Sequence, residues 1–171
     1  RLSRRDKRVD RLLMIWNLIC KNYPDWQLTI VGDGDDKDNL VQMTAELQLP
    51  RVEFYGFMPN PEELYLESEI LCLTSDFEGC PMVLLEAQQC GCATMAFNCS
   101  SGIEELISPN WECGVYVPNG DIEAYAEALG RLMSDEVLRG KIQKNGIKNV
   151  ERFSVNNSVH QYNALIEKLM R

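Results

Sequence analysis

Apolar residues recur at helical spacing over 9–21 (VDRLLMIWNLICK), and Asn22 and Pro24 end that run. WQLTIV at 26–31 predicts a strand, and Gly32-Asp33-Gly34 turns the chain into a second helix from about 36 to 47, stopped by Pro50. VEFY at 52–55 predicts another strand. Gly56 to Asn60 then forms a loop, and PEELYLES a short helix with Pro61 at its first position. EILCLT at 69–74 and CATMAF at 92–97 are strands flanking a helix that Gly91 is placed to terminate. A polar turn at 98–102 leads into IEELI, and GVYV at 114–117 is the last strand. The remainder is helical over 121–133, 135–150 with breaks near Gly140 and Gly146, and 154–170, with Asp121 and Ser154 as N-caps.

Five short strands alternating with helices predict an α/β fold, a Rossmann-like doubly wound parallel sheet with C-terminal helices. Such sheets bind ligands beyond the carboxyl ends of their strands. The loops at 32–35, 56–60, 75–81 and 98–102 are therefore the candidate ligand loops. The alternation also calls for a strand before the first helix, where the chain instead opens at Arg1, so the sequence is expected to be a trimmed piece of a longer protein.

Charge sharpens this picture. The formal charge is −9, which disfavours nucleic acid and anionic lipid as partners. Arg1, Arg4, Arg5, Lys7, Arg8 and Arg11 nevertheless crowd the start, while no Lys or Arg occurs between Arg51 and Arg131. An anionic ligand held by the middle of the chain must draw its cations from the N-terminal cluster. Arg4, Arg5 and Arg8 are read as a solvated helix face. The seven cysteines are odd in number and several lie in apolar segments, so reduced thiols in a cytoplasmic protein are expected. Cys90-Gly-Cys92 is too tight for a ligand pair and the single histidine, His160, is remote, so no metal site is expected. No apolar run approaches a membrane span, and the basic N-terminus lacks the apolar stretch of a signal peptide.

The stretch SDFEGCPMVLLEAQQCGC at 75–92 carries the chemistry. Gly79 allows close backbone approach to a ligand, and Pro81 suits a first helical position. The amides of Met82, Val83 and Leu84 would then lack intrahelical partners and carry the positive end of the helix dipole, a seat for phosphate. Glu78 and Glu86 stand eight positions apart around that seat. Carboxylates repel phosphate, so they suit neutral hydroxyl-rich groups on either side of it. A diphosphate flanked by polyols, as in a nucleotide sugar, has that form. Spacing alone favours an exposed helix residue at 86 and a dipole partner at 78. The context, a strand, Ser-x-x-Glu-Gly-x-Pro, an apolar helix with Glu86-Ala87, Gly91 and a strand, shifts the balance to a ligand site.

In combination, several segments resemble the C-terminal, donor-binding domain of a retaining GT-B glycosyltransferase of family four. They are RLSRRDK (1–7), LTIVGDG (28–34), VEFYGFMPN (52–60), SDFEGCPMVLLEA (75–87), SSGIEEL (100–106), GVYVPNGD (114–121) and ERFS (151–154). The likeness runs through essentially all 171 residues. It implies that Arg1 and Lys7 pair with the donor diphosphate and that Glu86 holds the ribose hydroxyls. Glu78 would lie near the transferred sugar, and the backbone from Gly79 through Cys80 and Pro81 to Leu84 would reach sugar and phosphates. Gly34, Phe57 and Met58 are further donor-binding candidates, the last two on the loop where the family binds the base. For Phe57, core packing is the competing reading. Two departures stand out: Arg8 replaces the usual Gly after the Lys, and Cys80 replaces a large side chain, which would enlarge the sugar pocket.

The resemblance further implies transfer of a hexose from a UDP- or GDP-linked donor to a glycan or lipid-linked acceptor, with retention of configuration, in surface polysaccharide synthesis such as capsule or lipopolysaccharide. Arg1, Lys7 and Glu78 would act at the reacting bonds, and no cofactor or metal is implied. The acceptor site belongs to an N-terminal domain outside this chain, and the full enzyme would work in the cytoplasm, at the inner membrane face. An inverting GT-B enzyme, a sugar-nucleotide epimerase and a non-catalytic interaction domain are the alternatives, and a flavodoxin-like signalling domain would want a strand-end Lys that the middle of this chain lacks.

Overall fold

The structure is a computed structural model that describes residues 2–3 and 5–170. Its strands are β1 (Leu28–Val31), β2 (Val52–Tyr55), β3 (Ile70–Leu73), β4 (Ala93–Asn98) and β5 (Val115–Pro118). The helices are α1 (Val9–Ile19), α2 (Lys37–Glu46), α3 (Glu62–Leu66), α4 (Met82–Gln89), α5 (Ser101–Ile107), α6 (Ile122–Ser134), α7 (Glu136–Val150) and α8 (Val155–Leu169). All pairings are parallel, as the helical crossovers require.

The strands form two ladders, β1–β2 and β3–β4–β5, rather than the single continuous ladder expected. Residues 2–3 and 5–8 lie at the carboxyl ends of both. The Leu2 amide donates to Asp33 O beyond β1 (2.8 Å), and the Asp76 amide beyond β3 donates to Asp6 O (2.9 Å). The N-terminal basic segment is thereby delivered to the ligand-binding edge.

β4 shows why the fold is doubly wound. Met95 and Phe97 enter a core built from Leu13, Ile15 and Trp16 of α1 and Tyr125, Leu129 and Leu132 of α6. Ala96, on the opposite face, packs with Leu84, Leu85, Ile103, Leu106 and Ile107 of α4 and α5. Side chains alternate across a strand, so a strand covered on both faces is apolar at every position. Two buried polar side chains of this core are paired: Tyr125 Oη donates to Met95 O (3.1 Å), and Asn149 Nδ2 to Gln88 Oε1 (3.1 Å) and Leu106 O (2.6 Å).

Three expectations shift. Strand β1 starts at Leu28 because Trp26 O is taken by Arg51 Nε (2.8 Å), outside the ladder. Helix α5 begins at Ser101, inside the expected turn. Most clearly, α7 runs unbroken through Gly140 and Gly146. Each glycine costs a helix interior about 1 kcal/mol, which tertiary packing offsets here. A Cβ at Gly146 would stand 3.2 Å from Gln88 Cγ, so the glycine marks the close approach of α7 to α4 rather than a break. The caps match expectation: Asp121 accepts from the Ala124 amide and Ser154 from the Asn157 amide.

Candidate active site at the carboxyl ends of the strands

Lys7 and Glu78, 71 positions apart in sequence, meet with Lys7 Nζ 2.7 Å from Glu78 Oε1. Glu78 is only 10% exposed, and the buried Ser75 hydroxyl donates to the same oxygen at 2.6 Å. Arg1, the other cation assigned to the diphosphate, lies outside the described residues, as does Arg4.

The expected solvated face holds for Arg5, which is exposed, but not for Arg8. The Arg8 guanidinium donates to Asp10 (3.1 Å from both Nε and Nη2) and to Asp76 Oδ2 (2.7 Å). These carboxylates, Asp10 foremost, raise its pKa above the ordinary value. Its backbone sits at φ 49°, ψ 42°, the left-handed region that glycine occupies without cost. Arg8's ion pairs with Asp10 and Asp76 hold this conformation in place without a glycine. Thr74 Oγ1 donates to Lys7 O (3.2 Å) and Arg8 O (3.1 Å), fastening this turn to the end of β3.

Helix α4 starts with no side-chain cap and no acid in its first turn, so its positive end faces the loops. Pro81 is one position earlier than expected, at the N-cap, because its ψ of 90° is extended. The run of free amides stops at Val83, since the Leu84 amide bonds Pro81 O at 3.0 Å. Leu84 is a core residue, Pro81 is buried and Val83 half-buried, so these contribute backbone only. Met82 and Cys80 are exposed. A Cβ at Gly79 would meet nothing, whereas one at Gly102 would fall 2.1 Å from Gly79 O. Gly102 thus lets the start of α5 close against the Gly79 turn.

Glu86 is exposed on the second turn of α4, and Tyr65 of α3 reaches it through its hydroxyl (3.5 Å to Oε2). Burial, with the Glu86 charge behind it, pushes the Tyr65 hydroxyl up to about 12. Gly32 N donates to Gly56 O at 3.0 Å, joining the loops after β1 and β2. A Cβ at Gly34 would fall 2.3 Å from Leu2 O, so Gly34 admits the N-terminal segment. Phe57 is 74% exposed beyond β2, which rules out core packing for it, and Met58 beside it is half-buried. His160 is exposed on α8, away from these loops in sequence and packing.

Sequence reasoning placed Ser75, Asp76 and Gly102 in candidate ligand loops without giving them a role, and missed Tyr65 altogether. Ser75 and Asp76 had a signal, lying inside the 75–92 stretch; Tyr65 had none. Cys99 also approaches, its thiol raised by burial and by the nearby Glu78 charge. All seven cysteines are free. Among the described residues no group of three or more His, Cys, Asp or Glu is placed to hold a metal, and no helix is long and apolar enough to cross a membrane.

The fold and this strand-end site define a Rossmann-like domain of the GT-B kind. A profile of the family described as "Glycosyl transferases group 1" matches residues 1–149, and the chain belongs to that family. An uncharacterized glycosyltransferase of Haemophilus influenzae is 35% identical over 135 residues, 77% of this chain and 37% of that protein. The lipopolysaccharide 1,6-galactosyltransferase of Salmonella typhimurium is 33% identical over 74% of this chain and 36% of its own length. The chain therefore spans about a third of these relatives. Among solved structures, the C-terminal domain of LpcC, a group 1 glycosyl transferase from Francisella tularensis, superposes with TM-score 0.79 at 28% identity, covering 90% of this chain and 83% of that one. HepE from Anabaena, solved with UDP-glucose, superposes with TM-score 0.84 at 24% identity over 98% of this chain and 47% of its own.

Proposed function

We propose that this chain binds a nucleotide-diphosphate sugar as the donor half of a retaining glycosyltransferase that passes a hexose to a glycan or lipid-linked acceptor in surface polysaccharide synthesis. The observation that carries this reading is the Lys7–Glu78 pair (2.7 Å) set against the uncapped start of α4. A lysine ammonium has three N–H donors. Spending one on Glu78 leaves two for a diphosphate, so Lys7 can bridge the carboxylate and the phosphates.

The chemistry follows from charge. As the sugar leaves, negative charge grows on the diphosphate, and Lys7, Arg1 and the first amides of α4 stabilise it. Glu78, held by Ser75 and Lys7, faces the sugar and steadies positive charge at the anomeric carbon. Glu86 takes the ribose hydroxyls, and Phe57 and Met58 flank the base. With cations supplied by Lys7 and Arg1, no metal is required. The acceptor and the closing of the cleft belong to a second domain, and the full enzyme works at the inner membrane face.

Calorimetric titration with UDP and GDP tests the reading. One of them is expected to bind, and Lys7→Ala and Glu86→Ala each to weaken it about tenfold, the loss typical of one charge-assisted hydrogen bond. Binding unchanged by both substitutions would sink the assignment. The 171-residue chain alone is expected to show no transfer.

A further inference from the structure

We propose that Asp76 is a positioning residue that sets Lys7 for the diphosphate, acting through Arg8 and Arg11 without touching the ligand. The inference rests on the reading of Lys7 given above. Asp76 is the point at which the N-terminal turn, α1 and the end of β3 are tied together. Its carboxylate accepts from Arg8 Nη1 (2.7 Å) and from Arg11 Nη1, and its amide donates to Asp6 O (2.9 Å). Arg11 also reaches Asn119 beyond β5 (3.4 Å) and lies over the Phe97 ring of β4 (5.7 Å). The cluster is thereby anchored to the core.

Lys7 sits between the two residues this cluster holds, Asp6 and Arg8. A lysine on a free turn would sample many positions and lose affinity to ordering. Here the turn includes a left-handed arginine, a conformation unfavourable for a residue with a Cβ that persists only where neighbours enforce it. Asp76 supplies that enforcement, together with the Thr74 hydroxyl bonds to Lys7 O and Arg8 O. The same pairing engages the Arg8 and Arg11 guanidiniums, while Lys7, its side chain 36% exposed, keeps N–H donors for a phosphate. Asp76, itself an anion ringed by its arginines, has no contact to offer a diphosphate.

A double-mutant cycle read by UDP titration (GDP if that is the nucleotide bound) separates this role from simple structural support. Asp76→Asn and, independently, Arg11→Gln are each expected to raise Kd about tenfold, within the range of coupled neighbours, and to change it less than twofold when Lys7 is already Ala. Arg8→Gly, which adopts the left-handed turn freely, is expected to keep more affinity than Arg8→Ala. Circular dichroism identifies any variant that fails to fold, and Arg11→Gln decides the matter should Asp76→Asn be one. Losses that add fully to that of Lys7→Ala, no loss, or tighter binding from freed arginines would each overturn the positioning role alone. Unchanged binding in Lys7→Ala itself would instead defeat the donor-site reading on which it rests.

Discussion

Lys7 Nζ and Glu78 Oε1, 2.7 Å apart, form an ion pair at the edge where the strands end, and Glu78 is 10% exposed against 36% for Lys7. The carboxylate is the recessed partner and the ammonium the one that can turn to a ligand. Glu78→Gln removes a negative charge beside the diphosphate seat and releases Lys7. UDP is therefore expected to bind up to about fivefold more tightly, as the loss of a partly exposed pair allows. Transfer by the full-length enzyme is expected to fall about a hundredfold, because charge stabilisation at the sugar is lost. Calorimetry and a product assay read the two effects separately; weaker nucleotide binding would contradict the charge argument.

Tyr65 gives a pH signature. Burial, and then the Glu86 charge, raise its hydroxyl from 10 to about 12 in the folded chain. The unfolded chain loses that proton first, so the stability it contributes is full below pH 10 and lost as pH rises toward about 12. Tyr65→Phe should flatten the decline of melting temperature over this window, and Glu86→Gln should shift it downward.

Gly102 is tested by adding one methyl. A Cβ there would lie 2.1 Å from Gly79 O, a backbone atom with little freedom to move. Gly102→Ala is expected to cost about 1–3 kcal/mol, as overpacking does, and to weaken UDP binding by displacing the Gly79 turn. Thermal denaturation and titration of the same variant check both. Gly79→Ala, whose Cβ meets nothing, serves as the control for steric cost.

The thiols differ in access. Cys80 is exposed at the start of α4, while Cys20 and Cys92 are each 1% exposed and burial pushes the Cys72 thiol up to about 11. A maleimide at neutral pH is expected to modify Cys80 first, located by peptide mass spectrometry, and bound UDP to slow that labelling. Equal labelling with and without nucleotide would place Cys80 outside the donor site.

Along the chain, periodicity and end signals are local, and they were legible. The apolar run of β4, the Asp121 and Ser154 caps and the Gly91 terminator each depend on residues within a turn or two, so the local sequence alone specifies them. The motifs likewise marked the edge on which Glu78, Gly79 and Glu86 stand. Local signals misled at α7, where Gly140 and Gly146 suggested breaks that contact with α4 and β4 overrides.

What the sequence by itself determined is the order of elements, the doubly wound class and the loops that carry chemistry, because these follow from side-chain alternation, helical spacing and caps. Only the tertiary structure decided that Lys7 reaches Glu78, that Arg8 is bound by Asp10 and Asp76 instead of solvated, and that the free amides of α4 end at Val83. It also brought Tyr65 to Glu86 and Gly102 to Gly79. These are meetings of residues from separate strands and helices, and their distances are set by how the packed elements close on one another, which no local pattern encodes.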